Sequence, residues 1–446
     1  MLTANINSTT NSVSENHFSL KVLILYYFNT FLLIDLLNGF VLKYLGIEPA
    51  ISPGQIVRGV ITLFLALEIL LRKTANQQNK HIYLFGFFAP ISILFYYLRD
   101  HAISAIPLEI IAIIKPLFFL LLFHQVSMNY SFYKSKVDQI LFSNMIVFTT
   151  FIIGSFVTGV GVNAYSGYYE SSKSFFYGAN PTAILGFVLS IYYTYQIKEK
   201  SINLIYLLAI LISLYLSGTQ IILVYPFFLL YFLLFKVFSS RLYKSLTIIS
   251  FLLISLLFTS GFLNKLIFSD NALISRYGER ALHSVNYFNE HSQIKIIPLR
   301  WYSWVSGTRA YRADLGLRQM QSKPSSYLIG YGNAMKSKMV GESYAGRTGS
   351  EMDLIDLFLD YGIIGLIFIY LPIFKTIIPI IANRDTNRNA MLIYFLILYS
   401  SFAGHVITAP MGSTLFALFL GIEYCHYNQI KENSHPDSIS HLGLIN

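Results

Sequence analysis

The sequence predicts an all-α polytopic integral membrane protein, with about twelve transmembrane helices and one large periplasmic loop containing short helices. Three observations carry that prediction. Apolar residues make up 54% of the 446-residue chain and charged residues only 12%, about half the roughly 25% charge of a globular domain. Apolar runs recur at close to the ~20 residues that span a bilayer as helix, with short polar breaks between them. One break is unlike the rest: residues 263–354 form a polar stretch far longer than a connector, and loops of that size tend to carry function.

Taken in order, residues 1–18 are polar and lack a basic n-region, so they read as a cytoplasmic tail rather than a signal peptide. Residues 19–262 hold nine spans, centred on 20–42, 56–71, 82–98, 106–127, 139–160, 179–196, 202–217, 220–237 and 245–262. The loop 263–354 follows, then three spans within 355–426, at 355–374, 390–408 and 412–426, and a cytoplasmic tail over 427–446. Arg72, Lys73 and Lys80, then Lys134 and Lys136, Lys198 and Lys200, Lys236, Arg241 and Lys244, and Lys375, Arg384 and Arg388 all fall on one side. The short breaks opposite carry few cations, Arg99 and Lys173 with Lys43 at the edge of the first span. The positive-inside rule makes the first side cytoplasmic and puts both termini there. The single cysteine, Cys425, forms no intrachain disulfide and belongs to no metal cluster. Internal repeats and low-complexity tracts are absent from the sequence.

The large loop is basic, with 12 Lys and Arg against five acids up to residue 350. An excess of arginine outside the cytoplasm suits an anionic partner, because guanidinium forks grip phosphate bidentately and stay charged. A lipid-linked phosphate or pyrophosphate fits that location; nucleic acid does not. "TRAYRADLGLRQMQ" (308–321) reads as a short helix with Arg309, Arg312 and Arg318 along one side, and "SKPSSYLIGYGN" as a turn and glycine-rich link. Arg300 and Arg347 complete the loop's phosphate-binding candidates. The aromatic loop 165–183 around Lys173 serves either as an interfacial belt or as a rim on which sugars stack. Trp301 and Trp304 allow the same two roles.

"GSEMDLIDLFLDYGIIG" (349–365) brings four carboxylates to the start of a span, and Asp353, Asp356 and Asp360 share a helical face at i, i+3 and i+7. Glu351 and Asp353 are candidates both for capping free N–H groups and for general base chemistry. Asp360, about 10 Å farther along, must face the bundle interior or a wet cavity. A cation such as Lys115 is its expected partner, and Lys115 also suits an ion pair with Glu109. His283 and His291 lack the spacing of metal ligands, His405 lies near the outer end of the eleventh span, as a core histidine or facing the same cavity, and no metal or cofactor is expected.

The order "KSFFYGANPTAIL", "LSGTQIILV", "SGTRAYR…PSSYLIGYG" and "EMDLIDLFLDYGIIGLI" resembles the O-antigen polymerase/ligase superfamily of bacterial inner membranes, and its polymerase branch in particular. The likeness spans most of residues 165–370. It implies that Lys173, ahead of the "F…N" motif that ends at Asn180, and Arg309 of "SGTR" contact a lipid pyrophosphate. Gln220 of "SGTQ" stands where many relatives carry a basic residue, and Glu351 where ligases carry a histidine. The implied activity is a glycosyltransferase that joins undecaprenyl-pyrophosphate-linked oligosaccharide repeat units on the periplasmic face. Its implied partners are the lipid bilayer, a chain-length regulator and a flippase. The alternatives are a ligase transferring glycan to lipid A core and a transporter of lipid-linked sugar; a transporter would favour repeat symmetry and helices broken at the midplane.

Overall fold

The computed structural model describes residues 20–47, 52–71, 80–100, 106–163, 171–197, 199–223, 225–233, 294–300, 308–333, 336, 349–383, 385 and 387–434. The expected ninth span, most of the large loop and both chain ends lie outside them. Among the described residues the protein is helical, with only an isolated bridge between Asn163 and Ser172. In chain order the helices are α1 Leu20–Gly39, prolonged by a π-turn Phe40–Tyr44, α2 Pro53–Leu71, α3 Lys80–Asp100, α4 Ile106–Met128, α5 Tyr130–Lys134 and α6 Val137–Thr158. Then come α7 Ala179–Gln196, α8 Ile202–Leu216, a 3-10 turn Gln220–Leu223, α9 Tyr225–Phe232, α10 Thr308–Gln321 and α11 Ser326–Ile329. The chain closes with α12 Asp353–Ala382, α13 Arg388–Phe402 and α14 Pro410–Ser434.

Leu20–Tyr44, Pro53–Leu71, Ile106–Met128, Val137–Thr158 and Asp353–Ala382 are long and apolar enough to cross a membrane. Their outward faces stay apolar where a soluble protein would be charged: Leu71 is 79% exposed, Val157 77% and Phe87 of α3 73%. A helix satisfies every one of its backbone groups internally within lipid, so the composition and the helical geometry agree on a membrane bundle.

The core forms around α14 and α4. From Met411 to Glu423 every residue of α14 is buried, and Phe416 stacks on Phe119 at 5.3 Å. On α4 the run Phe118–Phe123 is buried at every position. Tyr27 of α1 shares a hydrogen bond with Thr414 of α14 at 2.9 Å, and the Asn144 amide of α6 donates to the Phe28 carbonyl at 2.9 Å.

Some boundaries differ from the sequence expectation. α13 ends at Phe402 and leaves 403–409 irregular where a span was expected to reach 408. α14 runs to Ser434, through the expected tail boundary at 427. α12 reaches Ala382 instead of 374, and at about 45 Å by helical rise exceeds the ~30 Å hydrocarbon core. Its register breaks at Gly362, whose φ of 62° and ψ of −168° are not helical. The break frees two carbonyls, and the loop uses them: Tyr331 N–H donates to Leu359 O at 2.7 Å and Gly332 N–H to Asp360 O at 3.1 Å. A Cβ on Gly362 would run into the Leu328 backbone, so the close approach requires glycine.

The ends of the helices gather into two layers. One, the site end, holds the C-terminus of α1, the N-termini of α2, α4, α7, α12 and α14, and residues 171–178, 326–333 and 403–409. α10 and α11 dock there on α12, with Ala310 and Ala313 packing among Ile294, Leu299 and Met352, and Met320 and Tyr331 against Leu359. At the other end the Cys425 thiol meets the Ser127 carbonyl, and Tyr427 OH donates to Asp385 at 2.7 Å.

Candidate functional site

The three aspartates on one face of α12 are all buried, and each has its own work. Asp353 accepts from Ser400 Oγ at 3.1 Å, Thr408 Oγ1 at 2.6 Å, the Ile407 N–H at 2.6 Å and the Thr408 N–H at 3.3 Å, and from the Val406 N–H. His405 Nδ1 adds a contact at 3.1 Å. A carboxylate offers about four lone-pair positions, so Asp353 has none left for a substrate proton. Expected as the second candidate base, it is instead the anchor of the 405–408 segment.

One turn on, Asp356 reaches back to the chain entering the helix, accepting the Ser350 N–H at 2.7 Å and the Glu351 N–H at 3.1 Å. Both donors precede the N-cap, Met352, so the contacts fold the entering chain back onto the helix. The clasp holds Glu351 at φ 62°, a left-handed conformation that is costly for a residue with a Cβ and concentrates at functional sites. His405 completes the corner, with Nε2 3.6 Å from Asp356. Burial alone would lower the His405 pKa, but the hydrogen bond and charge of Asp353, with Asp356 beyond, raise it above the ordinary value.

Glu351 lies between two arginines. Arg309 Nη2 is 3.4 Å from Oε2 and Arg312 Nη1 is 3.2 Å from Oε1. The arginines are one turn apart on α10, so one carboxylate spans both. Arg312, 1% exposed, also donates to the Gly349 carbonyl at 2.9 Å, whereas Arg309 and Glu351 keep 24% and 28% of their side chains in contact with solvent. Asp314 orients the helix beneath them by accepting the Lys295 and Ile296 N–H groups at 3.1 and 2.9 Å. Its other oxygen pairs with Arg318 at 2.8 Å, which takes that arginine off the shared face.

Asp360 pairs with Lys336 at 2.8 Å, not with Lys115 as expected. Burial would lower the Lys336 pKa, but Asp360, Asp356 and Glu109 raise it. No ion pair joins Glu109 to Lys115; Glu109 accepts the Asn333 N–H at 2.9 Å.

The remaining candidates are dispersed. Lys173 is buried with Nζ on the Tyr177 carbonyl at 3.1 Å, and desolvation, with Lys43 nearby, lowers its pKa. Asn180, half-buried, is the second residue of α7, and Gln220 opens the 3-10 turn. Arg300 is exposed, its Nε on the Ile294 carbonyl at 2.6 Å. Arg347, Trp301, Trp304, His283 and His291 lie outside the described residues. No cluster of metal-ligating side chains occurs among the described residues.

The structure therefore unites Arg309, Arg312 and Glu351 with Asp353, Asp356 and His405. Sequence reasoning missed Lys336, and it missed Asp35 and Arg58, although an ionisable residue inside "FLLIDLLNGF" or "IVRGVITLFL" is itself a signal. No family model and no curated protein matches the chain, so the functional reading rests on the chemistry of these residues and on the order of motifs in the sequence.

Proposed function

We propose that the protein is an inner-membrane glycosyltransferase that polymerises undecaprenyl-pyrophosphate-linked oligosaccharide repeat units into a surface polysaccharide of the O-antigen type. In this reading the chain crosses the membrane about twelve times, both termini are cytoplasmic, and the site end faces the periplasm. The observation that carries it is the triangle of Arg309, Arg312 and Glu351 on a strained turn at the mouth of a membrane bundle. Cations and a carboxylate converging on one cavity are what transfer from a pyrophosphate requires.

The acceptor hydroxyl attacks the anomeric carbon, the bond from that carbon to the pyrophosphate oxygen breaks, and the hydroxyl proton passes to Glu351. The departing undecaprenyl pyrophosphate carries the negative charge, which the guanidiniums of Arg309 and Arg312 stabilise as it develops. In the resting site both arginines lean on Glu351. An arriving pyrophosphate offers them a more highly charged partner and frees the carboxylate to orient the hydroxyl. Asp353 and Asp356 act as positioning residues, holding 405–408 and the Glu351 turn.

The test is glycan laddering in a polymerase-deficient host carrying wild type, Glu351→Gln or Arg309→Ala, with membrane levels of each protein measured alongside. Loss of a general base costs about 10²–10⁴-fold, so Glu351→Gln should collapse the ladder while a single repeat unit still reaches the lipid A core. Loss of that single unit as well would point to ligation or export and overturn the reading.

A further inference from the structure

His405 stands where two separately anchored pieces of chain meet. On one side, residues 407 and 408 are fixed to Asp353 by the Ile407 N–H at 2.6 Å and the Thr408 hydroxyl at 2.6 Å, and the imidazole joins them through Nδ1 at 3.1 Å. On the other, Asp356 gathers the chain that enters α12, taking the Ser350 N–H on Oδ1 at 2.7 Å and the Glu351 N–H on Oδ2 at 3.1 Å. That same Oδ2 lies 3.6 Å from His405 Nε2. A single carboxylate oxygen therefore borders both the backbone of Glu351 and the ring.

The turn so held is strained. Gly349 has a φ of 130° and Glu351 one of 62°, and left-handed backbone persists only where its surroundings over-determine it. Arg312 supplies part of the hold, through the Gly349 carbonyl at 2.9 Å and the Glu351 carboxylate at 3.2 Å. Asp356 supplies another part, packed so close that a Cβ on Gly349 would meet its carboxylate. A carboxylate only 2% exposed needs a counter-charge to keep its own charge and its place. Among the described residues, the ion pair of Asp356 is the one with His405. From α12 the ring faces Asp353 and Asp356, and from beyond α11 it faces Lys336, whose ammonium is paired with Asp360 at 2.8 Å. Glu351 is matched by Arg309 and Arg312, and α13 brings the Ser400 hydroxyl to Asp353. Burial works against the charged ring, but the hydrogen bond and charge of Asp353, then Asp356, outweigh it and the repulsion of Lys336.

We propose that His405, as an imidazolium, is a positioning residue for the transfer: through Asp356 it locks the turn that aims the Glu351 carboxylate at the acceptor hydroxyl. The proposal rests on the glycosyl-transfer reading and on Glu351 as its base. With the ring neutral, Asp356 keeps its two backbone donors but loses its counter-charge, and the turn relaxes. A displaced base costs turnover while the groups that bind substrate stay in place, so the effect falls on kcat and spares KM.

Initial rates of the purified full chain in detergent, acting on lipid-linked repeat units extracted from a polymerase-deficient host, give kcat and KM across pH. In wild type kcat should fall at least threefold as pH rises above about 6.5, with KM within twofold of its starting value. His405→Asn, whose amide reaches Asp353 in place of Nδ1 but stops short of Asp356, should have a kcat at least tenfold lower at the acid end and lose the decline. His405→Lys, charged throughout that range, should restore most of kcat and hold it as pH rises. A wild-type kcat in His405→Asn, or an equal fold-loss in both variants at every pH, overturns the proposal. So does a loss confined to KM, which would make His405 a substrate contact. Hydrogen exchange of the same preparations reads the turn without substrate. The Ser350 and Glu351 amides should exchange at least tenfold faster in His405→Asn while those of Ile407 and Thr408 stay protected, and unchanged protection at 350 and 351 overturns the proposal. In wild type the same two amides should lose protection relative to 407 and 408 as pH rises, an arm that stands even where size-exclusion chromatography shows a variant to be misfolded. A wild type that joins no repeat units sinks the glycosyl-transfer reading and this proposal with it; an active wild type with indifferent variants sinks this proposal alone.

Discussion

Lys336 and Asp360 hold each other at 2.8 Å with 5% and 6% of their side chains exposed. Removing one partner of such a pair leaves a buried charge unanswered, at about 3–5 kcal/mol. Lys336→Met and Asp360→Asn should therefore each lower the thermal stability of the detergent-solubilised protein strongly, and the double variant should recover most of the loss. Additive losses would mean that the two act independently. His405 gives a pH signature. Its folded pKa is raised above the ordinary 6.5 by Asp353, so the stability its charge contributes is present in full below about pH 6.5 and is lost as pH rises through the folded value. Wild type should lose thermal stability as pH rises above about 6.5, and His405→Asn should show a flatter profile there.

At the scale of elements, the break in α12 at Gly362 is what lets residues 330–332 dock, because it releases the carbonyls of Leu359 and Asp360. Gly362→Ala should cost more than the ~1–2 kcal/mol of a left-handed backbone, since its Cβ also meets the Leu328 backbone. Limited proteolysis between α11 and α12 measures the loosening, and resistance equal to wild type would count against this role. The α10 helix was readable from "TRAYRADLGLRQMQ", since its arginine spacing is a local property. The partners of Asp360 and Asp353 were not, because Lys336 and the 405–408 segment reach them only through tertiary packing. Periodicity places a carboxylate on a face of its helix, but the occupant opposite depends on distant chain. The end of α13 at Phe402 was obscured for a related reason: 403–409 is nearly as apolar as a span, yet its N–H groups are taken by Asp353 in place of a helical ladder.

For the whole molecule, alternating helix directions put 171–178, 326–333 and 403–409 at one end and α5 at the other. Substituted cysteines in a Cys425→Ala background test how that arrangement sits in the membrane. An impermeant maleimide should label Lys323→Cys in spheroplasts, whereas Lys134→Cys, exposed on α5, should react only after lysis. The reverse pattern would invert the topology and remove the site from the periplasm. The buried aromatic and leucine run Phe118–Phe123 has a further consequence in such a membrane. On the site-end side of that run lie Lys115 and the buried Lys336–Asp360 pair. In the proposed membrane setting Phe118–Phe123, with Phe119 stacked on Phe416, is then the electrical insulator that separates those ionisable groups from the opposite face.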